Sequence, residues 1–316
     1  DGHIVFASRE NQKLYTVLQS SNGFSCNDPM QKLSDCADAS VLELVGLDPY
    51  AIATISSSTE NVKILATYLF SDRLDIVNLE KGKKALSLYK TFLIADLIRE
   101  KLGESAVKKS RFITRKAVVT NFDKPDIAKV YLGIEKYDDK NSMLQASKGA
   151  FIAAALVKDL LTNERLLESS IELWNLGELY DITGVSDFFV EPTGHDALVL
   201  AREPESLFKI DLKNGAKFAS EPVCLKSGMF AVSEREDRVF VPCFSDNKVI
   251  SLTKSSIRLI GVSGYYGRGP AFIAVDDAHK KIFVSYNNDG KVVVLDFDLA
   301  YLGHIFNEAP SDRTGS

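Results

Sequence analysis

Residues Ala271–Leu295, AFIAVDDAHKKIFVSYNNDGKVVVL, read as three strands joined by two tight turns. The first turn, Asp276–Lys280, is polar. The second, Asn287-Asn288-Asp289-Gly290, carries the residue types that accept the backbone twist between antiparallel strands. Similar units precede it at Phe230–Leu252 and Phe189–Leu212, with a fainter one at Ala51–Leu79. A strand unit repeated at about 40 residues is the signature of a β-propeller, in which each repeat is one four-stranded antiparallel sheet.

Working outward, three blades are clear in the C-terminal half. Val185–Val190, Ala197–Ala201, Leu207–Leu212 and Phe218–Cys224 form the first. Met229–Val232, Arg238–Phe244, Lys248–Leu252 and Ile257–Val262 form the second; Ala271–Val275, Lys281–Tyr286, Lys291–Leu295 and Tyr301–Phe306 form the last. The last residues of successive third strands are Leu18, Leu79, about Ile134, Leu176, Leu212, Leu252 and Leu295, and the final three intervals are 36, 40 and 43 residues. Seven marks predict an all-β fold of seven blades in one domain spanning 1–316. Six blades, with 84–150 as one elaborated blade, is the alternative. Two insertions interrupt the pattern: a cysteine-bearing loop at 20–38, and Tyr89–Leu102, where Phe92, Ala95, Ile98 and Leu102 fall at helical spacing. That segment reads either as a partner-docking helix or as local packing.

Composition is that of an ordinary globular protein: 316 residues, 45% hydrophobic, 26% charged, net charge −5. The acidic balance argues against a general nucleic-acid binder, which needs a basic stripe to neutralise phosphates. No run of 18 apolar residues predicts a membrane-spanning helix. The chain begins at Asp1 without an initiator Met, which fits a removed leader, including one that left a lipid anchor, or simple trimming. Four cysteines form two plausible pairs, Cys26–Cys36 and Cys224–Cys243, each able to add roughly 2–3 kcal/mol in an oxidising compartment. The other reading is four reduced thiols in a cytosolic propeller. No CxxC pair or neighbouring histidine supports zinc.

The units Lys281–Leu295, KIFVSYNNDGKVVVL, and Arg238–Leu252, RVFVPCFSDNKVISL, resemble the YVTN-type repeat of lactonase-like seven-bladed propellers. The Tyr-Val-Thr-Asn string itself is absent; the nearest versions are Phe283-Val284-Ser285-Tyr286 and Phe240-Val241-Pro242-Cys243. The resemblance implies a fold shared by enzymes, surface proteins and scaffolds, so it leaves function open.

Strand order places second-to-third turns and blade connections at one end, the usual ligand face. Ser263–Pro270, SGYYGRGP, is the most informative stretch there: Tyr265, Tyr266 and Arg268 stand among three glycines and a proline. Tyr and Arg supply stacking area and forked hydrogen bonding at low entropic cost. Arg73, Arg202, Glu203, Asn287 and Asn288 are expected on the same loops. Asp72, Asp246 and Asp289 occupy matching turns; a ring of carboxylates could hold Ca²⁺, and the same residues also simply make turns. No other cofactor is predicted. Turns at the opposite end, such as Glu191–Asp196 and Asp276–Lys280, read as hairpin chemistry. His3, His195, His279 and His304 are scattered, and no GxSxG, HExxH or phosphate loop occurs.

These features predict a non-enzymatic, monomeric propeller of a bacterial envelope, periplasmic, lipid-anchored or secreted, that binds a protein or a polysaccharide of peptidoglycan type. A lactone or sugar-ester hydrolase, using Arg73, Arg202, Arg268 and Glu203, is the competing expectation. A module of a larger envelope complex, docked through Tyr89–Leu102, is a third.

Overall fold

The computed structural model describes residues 2–8, 12–20, 23–24, 39–81, 85–124, 126–137, 149–162 and 171–306. These group into two compact units, Asp1–Val185 with Val190–Gly194, and Ser186–Phe189 with His195–Ser316. The expected Cys26–Cys36 pair and most of the loop at 20–38 lie outside the described residues.

Unit 1 opens with β1 (Gly2–Ser8), β2 (Lys13–Ser20), β3 (Gly23–Phe24) and β4 (Ala39–Glu43). Here β2 is the pivot: it pairs β1 on one side, and β3 and β4 along the other. Next come β5 (Pro49–Ser57), β6 (Asn61–Tyr68), β7 (Arg73–Glu80) and β8 (Ala85–Leu93), a simple up-and-down sheet. Helices α1 (Ile94–Leu102) and α2 (Glu104–Lys109) lead into β9 (Arg111–Thr120), β10 (Lys129–Tyr137) and β11 (Ala150–Leu156). Helix α3 (Val157–Thr162) precedes β12 (Glu172–Asn175), which completes that sheet, and α4 (Leu176–Tyr180) follows it.

The middle strands of the β5–β8 sheet are covered on both faces. Along β6, Ile64, Ala66 and Tyr68 pack with Leu14 and Leu44 of the N-terminal region, whereas Leu65 points the other way into a core with Val130, Leu132 and Phe151. On β7, Val77 and Leu79 take the first side, Leu74 and Ile76 the second. That is why these strands read as apolar runs with imperfect alternation. Helix α1 buries Ile94, Leu97 and Ile98 in the second core. So the helical spacing at 89–102 reflects local packing: Tyr89–Leu93 belongs to β8, and the helix starts at Ile94.

Unit 2 carries three meanders: β13 (Gly184–Val190), β14 (Asp196–Arg202), β15 (Ser206–Asp211) and β16 (Lys217–Pro222); β17 (Ala231–Val232), β18 (Val239–Cys243), β19 (Lys248–Leu252) and β20 (Leu259–Val262); β21 (Pro270–Asp276), β22 (Lys281–Tyr286), β23 (Lys291–Asp296) and β24 (Tyr301–Phe306). On β18, Val239, Val241 and Cys243 face the preceding blade, while Phe240 faces the following one. The buried Asp187 carboxylate accepts the Phe230 N–H at 2.9 Å, joining the first strand of one blade to the start of the next. Cys224, just past β16, and Cys243 on β18 form a disulfide with Cα atoms 5.4 Å apart.

The described residues thus form five meander blades and one four-stranded N-terminal sheet of different order. Seven blades are not reached among them, and the reason is specific. Ile134 sits in β10 and Leu176 opens α4, directly after β12, so two of the seven period marks belong to a single blade. The stretch 84–150 is likewise no blade of its own: it holds the end of one sheet, two helices and the start of the next.

Replacing the pair by Cys224→Ser with Cys243→Ala is expected to lower stability by about 3 kcal/mol, the loop-closure entropy for a crosslink of this span. Urea unfolding followed by circular dichroism measures it; an unchanged midpoint would show that the crosslink is energetically idle.

Candidate functional site

In unit 2 the second-to-third turns and the blade connections meet at one end, and each connection is held by the turns beside it. The connection after β16 is held first. Backbone N–H groups of Lys226 and Ser227 donate to Glu205, whose carboxyl is pushed up by burial against those hydrogen bonds. The Phe244 N–H donates to the Lys226 carbonyl at 3.1 Å. Arg202 and Glu203 lie at this turn, Glu203 with a left-handed φ of 54°.

The next connection is Ser263–Gly269. Asn247, from the β18–β19 turn, accepts the Gly269 N–H at 2.8 Å. From the other side Asp289 accepts the Arg268 N–H at 2.7 Å and its Nε at 2.9 Å. The Asn287 N–H returns to the Gly269 carbonyl at 3.0 Å. Gly269 has φ +66°, and a Cβ there would lie 2.8 Å from the Asn288 Nδ2, so the turn requires glycine. The amide of Arg268, then its guanidinium, hold the Asp289 carboxyl below its ordinary range.

These braces orient the aromatic residues differently. Tyr266 is half-buried, its ring 5.4 Å from that of Tyr301 and its hydroxyl donating to the Leu299 carbonyl at 3.3 Å. Tyr265 is 66% exposed. The Arg268 side chain is 64% exposed, and with Nε on Asp289 its Nη donors have no partner among the described residues. An exposed phenol thus stands near an anchored guanidinium with donors to spare.

The other expected residues divide. Arg73, in unit 1, is absorbed into the sheet: its Nη2 donates to Asp75 at 2.6 Å and to Thr91 at 2.9 Å, and the Tyr68 hydroxyl donates to the second Asp75 oxygen. Asp75 is 1% exposed. Burial first, then Asp75, drives the Tyr68 hydroxyl pKa up. The neighbouring blade repeats the theme: Glu135, equally buried, accepts from Tyr137 at 2.9 Å and pairs with Arg115 at 3.2 Å. These carboxylates hold middle strands together and are closed to substrate.

Of the weak metal candidates, Asp289 is taken by Arg268, and in the neighbouring blade the bracing group is Asn247 beside Asp246. Asp72 belongs to unit 1 and contributes a carbonyl to the Ile94 N–H. Among the described residues, one group of three potential metal-ligand side chains converges, Cys224, Cys243 and Asp246, and its sulfurs are bonded to each other. His279 pairs with Asp276 at 2.7 Å within an exposed turn, and His304 with Tyr301.

Sequence reasoning passed over a second feature. A hollow of about 720 Å³ opens in unit 1, at the end bearing the β5–β6 and β9–β10 turns. Ile52, Val62, Ile64, Leu79 and Val119 wall it, with Thr54, Ser57 and Lys81 as its polar members. A bulge in β5 between Thr54 and Ser56 decides its lining. Ile55 turns into the opposite core, and Ser57 joins Ile52 and Thr54 on the hollow side. Period-two reading would have put Ser56 there instead.

A scan against protein-family models finds no match, and a search of curated proteins finds none either. Solved structures do match. The chain is similar to Saccharomyces cerevisiae Sqt1, at 12% identity and TM-score 0.59, over 96% of this chain and 71% of that one. It is similar to the Pseudomonas aeruginosa periplasmic gluconolactonase PpgL, at 10% identity and TM-score 0.58, over 95% and 83%. The dihydro-heme d1 dehydrogenase NirN matches at 14% identity and TM-score 0.58, over 98% of this chain and 55% of that one. At such identities the likeness is one of fold. The protein is an all-β propeller with four-stranded antiparallel blades, a class whose members here have unrelated roles. Among the described residues no helix is long and apolar enough to cross a membrane.

Two outcomes follow. Asp75→Ala strands the half-buried Arg73 and the buried Tyr68 and is expected to cost about 3 kcal/mol, the lower end of the range for breaking a buried pair, read by urea unfolding. For Asp289 the folded pKa is depressed, so its brace is present above the ordinary carboxylate value of about 3.9 and is lost as pH falls through the lower folded value. The Arg268 amide resonance should therefore hold its position at pH 5, shift only below about pH 4, and stop titrating in Asp289→Asn.

Proposed function

We propose that the chain is a non-catalytic recognition propeller of the cell envelope, acting as a monomer outside the cytoplasm. It binds a protein or a polysaccharide of peptidoglycan type on the end of unit 2 that carries Ser263–Gly269. The observation that supports this most is the braced pair Tyr265 and Arg268. The loop backbone is tied on both sides by Asn247 and Asp289, so little ordering entropy remains to be lost on binding. The exposed phenol offers a stacking face and the outer Nη donors offer a fork for carboxylate or hydroxyl groups. The Cys224–Cys243 disulfide supports an oxidising compartment.

A hydrolytic reading would need polar groups converging on a substrate. Arg73, one of the residues that reading uses, is committed to Asp75 within unit 1.

Co-sedimentation with purified peptidoglycan sacculi, run beside a glucono-δ-lactone hydrolysis assay, tests the proposal. Retention on sacculi is expected to fall about tenfold or more in Tyr265→Ala and in Arg268→Ala, the scale of a binding hot spot, with no lactone turnover above buffer. Lactone turnover abolished by Arg268→Ala would replace the recognition reading with the enzymatic one. Absence of retention would direct the search to a protein partner, captured by a photo-crosslinking residue at position 265; no crosslink there would reject this loop as the binding surface.

A further inference from the structure

We infer that the hollow in unit 1 is a binding site for a small amphipathic carboxylate, an acyl chain lying on the aliphatic wall with its anionic end at Lys81. Its volume, about 720 Å³, falls in the range of roughly 300–1,000 Å³ that small-molecule sites occupy. The apolar wall is mostly β-branched: Val5, Ile52, Val62, Ile64 and Val119, with Leu79 and, at the rim, Phe122. Such a surface favours an apolar body over a hydrophilic one.

The polar groups are few. The Lys81 ammonium donates to the Ser58 carbonyl at 2.6 Å and to the Ser57 hydroxyl at 3.4 Å. Those two bonds fix its position, and an ammonium carries three N–H donors, so one is left for an occupant. No Asp or Glu is among the described residues lining the hollow, and Lys81 is the one charged side chain among them. Thr54, on the same face of β5, adds a hydroxyl. A single fixed cation beside an aliphatic wall selects a molecule anionic at one end and apolar along the rest, because a charge-assisted hydrogen bond and apolar burial are then satisfied together. None of these residues belongs to the Tyr265–Arg268 surface, so either assignment can fail without the other.

Isothermal titration calorimetry of the full chain with octanoate, octanol and octyltrimethylammonium tests the inference. Octanoate is expected to bind once per chain, octanol about tenfold more weakly, the scale of one charge-assisted hydrogen bond, and the cation not measurably. Lys81→Met should bring octanoate to the level of octanol and leave octanol unchanged. Thr54→Trp, at an exposed position, should abolish binding of both by filling the space; Val119→Phe does the same from the facing strand and serves if the first variant folds poorly. A parallel arm uses phosphatidylglycerol vesicles, which the chain should not retain. The inference is overturned if octanoate does not bind, if Lys81→Met leaves its affinity unchanged, or if binding survives both filling variants. Vesicle retention that depends on Lys81, without octanoate binding, would overturn it in favour of a lipid surface.

Discussion

Each interior sheet of this protein must bury both of its faces. A strand such as β18, whose odd and even side chains enter different cores, leaves no polar face for solvent along its middle. The hydrophobic gain scales with the apolar area covered, and here every blade supplies half of its neighbour's cover within its unit. Polar chemistry is therefore displaced to strand ends, turns and connections. Where a charge does enter a sheet, as at Asp75 or Glu135, it arrives with partners that consume it. The arrangement separates structural charges from available ones: a buried carboxylate in a middle strand is a tie, and the guanidinium of Arg268 at its turn keeps donors open to solvent.

The same displacement explains the braces at the connections. A connection between blades is a loop with unpaired backbone N–H groups, and those groups need acceptors. Glu205, Asn247 and Asp289 supply them in three successive blades. The acidic and amide residues at matching turns thus share one task, capping a neighbouring loop, although the acceptor differs in type from blade to blade. A ring of like carboxylates is not required for it, and Asn247 performs it without charge.

Legibility followed sequence distance. In unit 2 the turn residues and their regular spacing placed every blade, because hairpins are local and Asn, Asp and Gly announce them. In unit 1 the helices α1 to α3 carry apolar residues into the same core as the strands, and hydrophobic pattern alone does not distinguish one from the other. Ile134 and Leu176 consequently marked two blades where one exists. The exposure of Tyr265 could be anticipated from its glycine-rich setting. The absorption of Arg73 could not, since it depends on Thr91 across the adjacent strand. The hollow was hidden by one extra residue in β5, a bulge that reverses which side chains share a face and that no local motif signals.

The crosslink between Cys224 and Cys243 has a mechanical meaning as well as a thermodynamic one. Tension applied along the chain would pass through the sulfur atoms and bypass the residues between them. That segment includes the connection held by Glu205 and the first strand of the next blade. Under load those residues add no length, and the junction between these two blades stays closed while others stretch. Under pull this junction is kept intact through a covalent bond and not through packing.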